Sequence, residues 1–295
     1  MDEKEVANLR RLDLEMLRAQ LDTLSIGKGQ RLHYVPSIAS TNTYAMQLAR
    51  SGSEEGVVVL TDSQTAGKGR QGRRWVDLAG CNALTSTILR PHFPSYLLIM
   101  IASLAVVEAI ASSSNVQGSI KWPNDILIDE RKVAGILIET SYDSHGQFVA
   151  ILGIGVNING QNIDIFEEGR TNPQTDLGPG ILATKATTLE IEAGHSVSRE
   201  TFIAHLLKQL EIRYLLLQQE SQMPVASGYG SASRLIREQW RDQLSTLGRS
   251  IQVRQGTTIL SGVAEDVNDE GELFLRHHSG ERVTITWGDI GHPTI

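Results

Sequence analysis

Three things are missing from this chain of 295 residues, and each absence removes a class of explanation. There is one cysteine, Cys81, so no internal disulfide can form, and with no obvious partner nearby it reads as a buried structural thiol in a reducing compartment. There is no excess of positive charge: the formal net charge is −7, whereas a protein that tracks a phosphate backbone carries surplus cations on its binding domain. There is no uncharged apolar run long enough to span a bilayer, because the most apolar stretch, from Tyr96 to Ala111, is too short and contains Glu108. The first residues, Met1-Asp-Glu-Lys-Glu5, are charged where a secretory signal would be apolar. A cytoplasmic protein with no membrane partner is expected. Its length suffices for one large domain and a small one.

What is present is concentrated. Gln64 to Trp75 reads Gln-Thr-Ala-Gly-Lys-Gly-Arg-Gln-Gly-Arg-Arg-Trp. Gly67, Gly69 and Gly72 lack a Cβ, so the backbone can turn tightly and bring its N–H groups close to a ligand. Lys68, Arg70, Arg73 and Arg74 place four cations within seven residues, where they repel one another until an anion arrives. Alone, the segment reads equally well as a solvated basic loop, a nucleic-acid patch or an anion seat.

Apolar residues at helical spacing predict one amphipathic helix over residues 6–24, followed by a strand at 33–35. Ser40 or Thr41 is expected to cap a helix carrying Tyr44, Ala45, Leu48 and Ala49. Residues 56–60 and 82–89 read as strands and 96–111 as a buried helix; 148–159 reads as a buried strand whose Gly153 and Gly155 permit close backbone approach. Residues 159–180 lack periodicity and read as a surface excursion. Helices are expected over 198–217 and 234–244, separated by a connector of small residues from Ser221 to Ser233. Short strands near 251–253, 259–264, 273–275 and 283–285 suggest a small barrel of SH3 type, with a boundary near Leu247.

A second informative stretch runs through Lys121-Trp-Pro-Asn-Asp125 and Lys132-Val-Ala-Gly-Ile-Leu-Ile-Glu139, joined by a polar turn at Asp129-Glu130. This is a hairpin, with Pro123 at the lip of a sheet. Lys132 heads an apolar strand, and is either a turn lysine in water or a point charge at the mouth of a pocket. Plain alternation puts Lys132 and Gly135 on opposite faces. If both meet a ligand, Gly135 must do so through its backbone or through a bulge.

Ser40-Thr41-Asn42, the Gln64 to Trp75 run, Lys121 to Asp125, Lys132 to Glu139 and Gly153-Ile-Gly-Val-Asn157 resemble, in that order, the signature blocks of biotin protein ligases. The C-terminal strands are similar to that family's second domain. The resemblance runs from about Leu32 to the C-terminus, and five ordered blocks are far more specific than one glycine-rich loop. It implies an α/β (α+β) fold: a mixed sheet flanked by helices, related to class II synthetases and lipoate ligases, plus a small SH3-like barrel. The division would be an N-terminal helix over 1–30, a catalytic domain over 31–246 and the barrel over 247–295. It also implies a ligase that uses ATP and Mg2+ to activate biotin as biotinyl-5′-AMP. The biotinyl group then forms an amide with one lysine of a biotin carboxyl carrier protein, and the enzyme would be a monomer or homodimer.

Two other readings stay open beside it, a lipoate or octanoate ligase of the same fold and a biotin-responsive transcriptional repressor. Only about thirty residues precede the first strand, too few for a helix-turn-helix and its wing, so no DNA partner is expected.

By resemblance, Lys132 and Arg70 are the catalytic cations. Ser40, Thr41, Asn42, Gln64, Gly67, Lys68, Gly69 and Gly135 join them around biotin. Lys68, Arg70, Arg73, Trp75, Lys121, Asn124 and Asn157 are the expected ATP and adenylate contacts, with Asp125 as a carboxylate for Mg2+. Such chemistry needs these residue types, since adenylation presses a carboxylate against a phosphate and the growing negative charge must be met by cations. Lys68 stands where the family commonly has arginine, and it cannot reproduce the planar bidentate contact of a guanidinium.

Overall fold

The structure, a computed structural model, describes residues 11–161, 181–182, 185–223 and 230–293. Helix α1 (Leu14–Gln20) is capped by Asp13, whose carboxylate accepts from Met16 N at 2.9 Å. It is shorter than the helix expected over 6–24. Residues 1–10 lie outside the described residues, and past Gln20 the chain opens because the N–H groups of Leu24, Ser25 and Ile26 all donate to the Glu211 carboxylate.

The chain continues through β1 (Leu32–Tyr34), β2 (Ser37–Ile38), α2 (Thr41–Arg50), β3 (Val58–Thr61), β4 (Ser63–Gln64) and β5 (Asn82–Leu89). Next come α3 (Tyr96–Ser114), β6 (Ser119–Lys121), β7 (Asp125–Ile128), β8 (Arg131–Tyr142), β9 (Phe148–Asn157) and β10 (Ile181–Leu182). Then follow α4 (Leu189–Ala193), α5 (Arg199–Ser221), α6 (Ser231–Asp242), β11 (Ser250–Gln255), β12 (Thr258–Val267), β13 (Leu273–His277), β14 (Arg282–Ile285) and β15 (Asp289–Pro293). Most of the expected excursion over 159–180 and part of the connector after Ser221 lie outside the described residues.

Seven strands form a mixed sheet in the order β1-β3-β5-β9-β8-β7-β6, parallel only between β1 and β3. Its two faces differ. On one, the apolar α3 and the long α5 bury Leu98, Ile101, Val106, Phe202, Leu206 and Leu210 in the main core. On the other, Ala45 and Ala49 of α2 pack on Val57, Val59, Ile88, Val149 and Ile151. Among the described residues α3 is the one helix long and apolar enough to cross a bilayer, and it is largely buried here. Neither Ser40 nor Thr41 caps α2 with its side chain, contrary to expectation. The Thr41 N–H is instead taken by Gln64 Oε1, at 2.9 Å, from the end of β4.

A second, six-stranded antiparallel sheet has the order β10-β15-β11-β12-β13-β14. Five of its strands follow Leu247, and the sixth, β10, arrives from much earlier in the chain. The two sheets are joined by the Lys121 to Asp125 block. Ile120 exchanges backbone bonds with Gln243 and Ser245 (2.8 and 2.9 Å), and the buried Trp122 donates from Nε1 to Gly271 O at 2.8 Å. Gly271 has φ +81°, and a Cβ there would stand 2.7 Å from Met100 Cε, so only glycine fits.

The β7–β8 hairpin turns through Asp129 (φ 44°) and Glu130 (φ 64°), both left-handed without being glycine. Two-residue turns of this twist favour glycine at the second position. Glu130 also meets Arg249 at 2.7 Å, with side chains 53% and 41% exposed, so that pair adds little. Glu130→Gly is expected to raise unfolding free energy by about 0.5–1 kcal/mol net, read from the urea midpoint.

Candidate active site

The helix α2 face of the first sheet is floored with glycine. Gly135 of β8 pairs with Gly155 of β9, and Leu137 pairs with Gly153. These gaps are filled by side chains. A Cβ on Gly155 would stand 2.8 Å from the Trp75 ring, one on Gly135 would stand 3.0 Å from it, and one on Gly153 would strike Asn42 Oδ1 at 2.1 Å. The close approach expected at Gly153 and Gly155 is thus made by Asn42 and Trp75. Asn42 is held by Glu139 Oε2, which accepts from Nδ2 at 2.9 Å, and by Ser86 Oγ, 2.6 Å from Oδ1.

The face conflict between Lys132 and Gly135 is resolved by a bulge. Ile126 pairs with Ala134 but Leu127 pairs with Lys132, so Val133 is the extra residue. Lys132 Nζ therefore lies 3.3 Å from where a Gly135 Cβ would be, on the cleft side. Its backbone is clamped from a distant segment: Lys132 N donates to Lys185 O at 2.6 Å, and Thr187 N donates to Lys132 O at 2.9 Å. Asn157 supports that segment, accepting from Asn82 Nδ2 at 2.9 Å and donating to Thr187 O at 3.0 Å. Its amide is thus engaged in the scaffold, and the residue lines the cleft.

Asp125 Oδ1 sits 2.5 Å from Lys132 Nζ. Burial pushes the Asp125 carboxyl up, but Lys132 and Lys121 outweigh it, and the net shift is below its ordinary 3.8. An ionised carboxylate thus neutralises the Lys132 ammonium. This placement differs from the Mg2+ role expected of Asp125, and among the described residues no group of three or more His, Cys, Asp or Glu gathers to hold a metal.

Over this floor the Gln64 to Trp75 segment folds as a miniature hairpin. Gly69 N donates to Arg73 O at 2.7 Å, Trp75 N donates to Gly67 O at 3.0 Å, and Lys68 bridges to Arg74. Gly67 is required by packing, because its Cβ would lie 2.5 Å from Trp75 O. Three of the four cations find a polar partner across the cleft, while Arg74 donates to Thr65 O of its own segment at 3.1 Å. Arg70 Nη1 donates to Asn124 Oδ1 at 2.7 Å, Lys68 Nζ is 3.4 Å from Glu139 Oε1, and Arg73 pairs with Asp289 of β15. Burial lowers the Arg70 guanidinium's pKa, while Asp289 and Asp125 favour its charged form. At the loop's foot, Asp77 Oδ1 accepts from Gln64 N at 3.1 Å.

The result is a cleft of about 340 Å³. Ser40, Thr41, Asn42, Gln64, Lys68, Gly69, Arg70, Arg73, Trp75, Lys121, Asn124, Asp125, Lys132, Gly135 and Asn157 all line it. Gly67 alone of the expected residues does not; it lies in one arm of the hairpin and lines a neighbouring hollow with Leu137 and Glu139. Gly288, Asp289 and Ile290 of the second sheet also line it, and sequence reasoning missed them because no motif marks them. Glu139 ends a motif block without an expected role, and Ser86 lies between Thr85 and Thr87 in a fully buried strand; three consecutive buried hydroxyls are the one available signal.

A model of the biotin/lipoate A/B protein ligase family matches residues 34–159, and one of the biotin protein ligase C terminal domain matches 246–292. A biotin–[acetyl-CoA-carboxylase] ligase from Paracoccus denitrificans is 35% identical over 250 residues, covering 83% of this chain and 93% of that protein. The chain belongs to the biotin protein ligases. A ligase of the same name from Mycobacterium tuberculosis is 30% identical over 95% of this chain and 96% of its own length. The bifunctional ligase/repressor BirA of Bacillus subtilis is 33% identical over 85% of this chain and 71% of its own. The biotin protein ligase from Aquifex aeolicus in complex with biotin and ATP shares the fold, with a TM-score of 0.70 at 24% identity over 89% of this chain and 99% of that one.

Gly153→Ala in this biotin protein ligase is expected to cost about 1–3 kcal/mol by overpacking and to expel Asn42 from its seat. Denaturant unfolding measures the cost, and a crystal structure the displaced amide.

Proposed function

We propose that this chain condenses biotin with ATP to biotinyl-5′-AMP and pyrophosphate, then transfers the biotinyl group to a lysine ε-amine of a biotin carboxyl carrier protein. The observation that carries the reading is the convergence of Lys132, on its bulge, and Arg70, on the hairpin, over one glycine-floored cleft. Family membership supports the same activity, as do the ligands named for the Aquifex aeolicus structure.

In this reading the uncharged ureido end of biotin lies toward Ser40, Thr41, Asn42 and Gln64, and its carboxylate takes Lys132 from Asp125. Thr41 and Gln64 are already bonded to each other at 2.9 Å, so the polar groups at that end are pre-oriented. Attack of the carboxylate oxygen on the α-phosphorus expels pyrophosphate, and Lys132 and Arg70 meet the charge that builds on the phosphorus oxygens. Arg73, Lys68 and Lys121 bind phosphates, with Trp75 and Asn124 beside the nucleotide. The hairpin then keeps water from the mixed anhydride until the acceptor amine, in its neutral form, attacks the acyl carbon and AMP departs.

Mg2+ is assigned to the incoming triphosphate, where it would neutralise the phosphate oxygens. Among the described residues no group of three or more His, Cys, Asp or Glu forms a cage for it, and Asp125 is engaged by Lys132. The proposal further takes residues 31–246 as the catalytic part and 247–295 as the second domain, with 1–30 as an N-terminal extension. It assigns no DNA partner, places the protein in the cytoplasm and leaves it a monomer or homodimer.

Biotin-dependent exchange of labelled pyrophosphate into ATP tests the activity. Its absence, or its appearance with lipoate or octanoate and not biotin, overturns the reading. Lys132→Ala is expected to lower that exchange about 10²–10³-fold while biotin affinity changes far less. Normal exchange in the variant would take Lys132 out of the chemistry.

A further inference from the structure

Arg199, the first residue of α5, is a buried cation that the proposed reaction does not use. Its guanidinium reaches three oxygens: Nη2 donates to Asp62 Oδ1 at 2.6 Å, Nη1 to Gly80 O at 3.0 Å and Nε to Asn82 O at 2.9 Å. The Arg199 and Asp62 side chains are only 6% and 10% exposed. Asp62 follows β3, two residues before Gln64, whereas Gly80 and Asn82 stand where the chain returns to the sheet as β5. One side chain therefore holds both feet of the segment that carries Gln64 to Trp75. The feet are also tied to each other, since Gly80 N donates to Asp62 O at 2.9 Å, and Leu78 N donates to Asn82 Oδ1 at 3.0 Å within the returning foot. Asp62 has further donors in Leu12 N, at 3.3 Å, and the Tyr34 hydroxyl. Burial and the bond to Asp62 push the Tyr34 phenol up to about 12, so it stays a donor at neutral pH. A buried ion pair of this kind stabilises a fold little better than apolar residues of its size, which leaves its geometry as the feature to explain.

We propose that Arg199 is a positioning residue for the biotin end of the cleft: by fixing the distance between Asp62 and the returning foot, it sets where Gln64 and Trp75 stand. The proposal rests on the biotin site assigned above and adds to it a residue that never touches the ligand. The transmission is short. Gln64 lies two residues from Asp62 and donates its N–H to Asp77 Oδ1 at 3.1 Å, so it is referred to both feet, and its Oε1 meets Thr41 N at 2.9 Å. Trp75 lies two residues before Asp77, and its ring fits so closely that a Gly155 Cβ would stand 2.8 Å from it. Close-packed contacts of this kind transmit a shift of the foot to the ring and onward to whatever the ring covers. Lys132 is clamped by a different segment, through Lys185 and Thr187. Asn82, whose amide helps to support that segment, is paired with Asn157 in the β5–β9 ladder independently of Arg199. Loosening Arg199 thus weakens the hold on biotin and spares the chemical step.

Arg199→Lys in the full chain keeps a cation opposite Asp62 but cannot reach all three oxygens, because an ammonium lacks the planar fork. Arg90→Lys is the control: Arg90 makes a comparable fork, to Ser53 O at 3.0 Å and Asp143 Oδ2 at 3.2 Å, and does not line the cleft. In pyrophosphate exchange, Arg199→Lys is expected to raise KM for biotin about five- to tenfold with kcat within about twofold of wild type, and Arg90→Lys to leave KM unchanged. Hydrogen exchange of the protein alone reads the clamp without any activity: the Leu78 and Gly80 amides are expected to exchange several-fold faster in Arg199→Lys and at the wild-type rate in Arg90→Lys. A pair that only stabilised the fold would lower kcat through the folded fraction and leave KM for biotin alone. That result, or unaltered exchange at Leu78 and Gly80, overturns the proposal. If Arg199→Lys does not fold, Asp62→Asn, which keeps the size and one acceptor oxygen, is expected to raise KM for biotin about twofold, and an unchanged KM overturns the proposal there. Wild-type protein without pyrophosphate exchange would sink the assigned function, and the amide measurement would still decide whether Arg199 holds the feet.

Discussion

Cations packed into a partly buried cleft must be compensated, and this protein arranges the compensation from within. Lys132 faces Asp125, Lys68 faces Glu139, Arg73 faces Asp289 and Arg70 donates to Asn124. Desolvation makes each of these charges costly alone, and pairing offsets that cost. The partners come from β7, β8 and β15 and from the turn before β7, so the balance of charge also fixes the relation of the hairpin to both sheets. An anionic ligand must therefore compete with the protein's own carboxylates, which favours a substrate carrying several negative charges at once.

The floor beneath follows a second constraint, volume. Strands ordinarily carry β-branched residues, and a glycine weakens them. Here Gly135, Gly153 and Gly155 lie together on one face, and the absent side chains are replaced by an indole and an amide from elsewhere. The sheet gives up local packing and receives Trp75 and Asn42 in defined positions. Hydrogen bonds among Asn42, Ser86 and Glu139 then restrict the amide further.

Much of this was legible in the sequence because the informative residues are chemically unusual where they stand. Glycines alternating with basic residues and a lysine heading an apolar strand each violate a local preference, and both lie at the cleft. The short C-terminal strands follow from period and length, whereas the mixed sheet is what the family resemblance implies. The failures have physical causes. The helix expected over 6–24 ends early because a carboxylate nearly two hundred residues away, Glu211, claims the N–H groups of Leu24, Ser25 and Ile26. Ser40 and Thr41 were expected to cap α2, yet Gln64 does so from another strand. Asp289 lines the cleft and carries no local signal at all. Long-range partners of this kind leave no spacing to read.

The visiting strand β10 bears on whether the C-terminal strands form a separable unit. Ile181 and Leu182 pair with the end of β15, so a fragment cut near Leu247 would retain all five of its own strands yet uncover the main-chain groups at His292 and Pro293. Trp122 would also be missing from above Gly271, leaving that carbonyl to water. Such a fragment would be prone to stick edge to edge with its copies. Continuity of the hydrogen-bonded ladder, rather than of the chain, marks where this module ends.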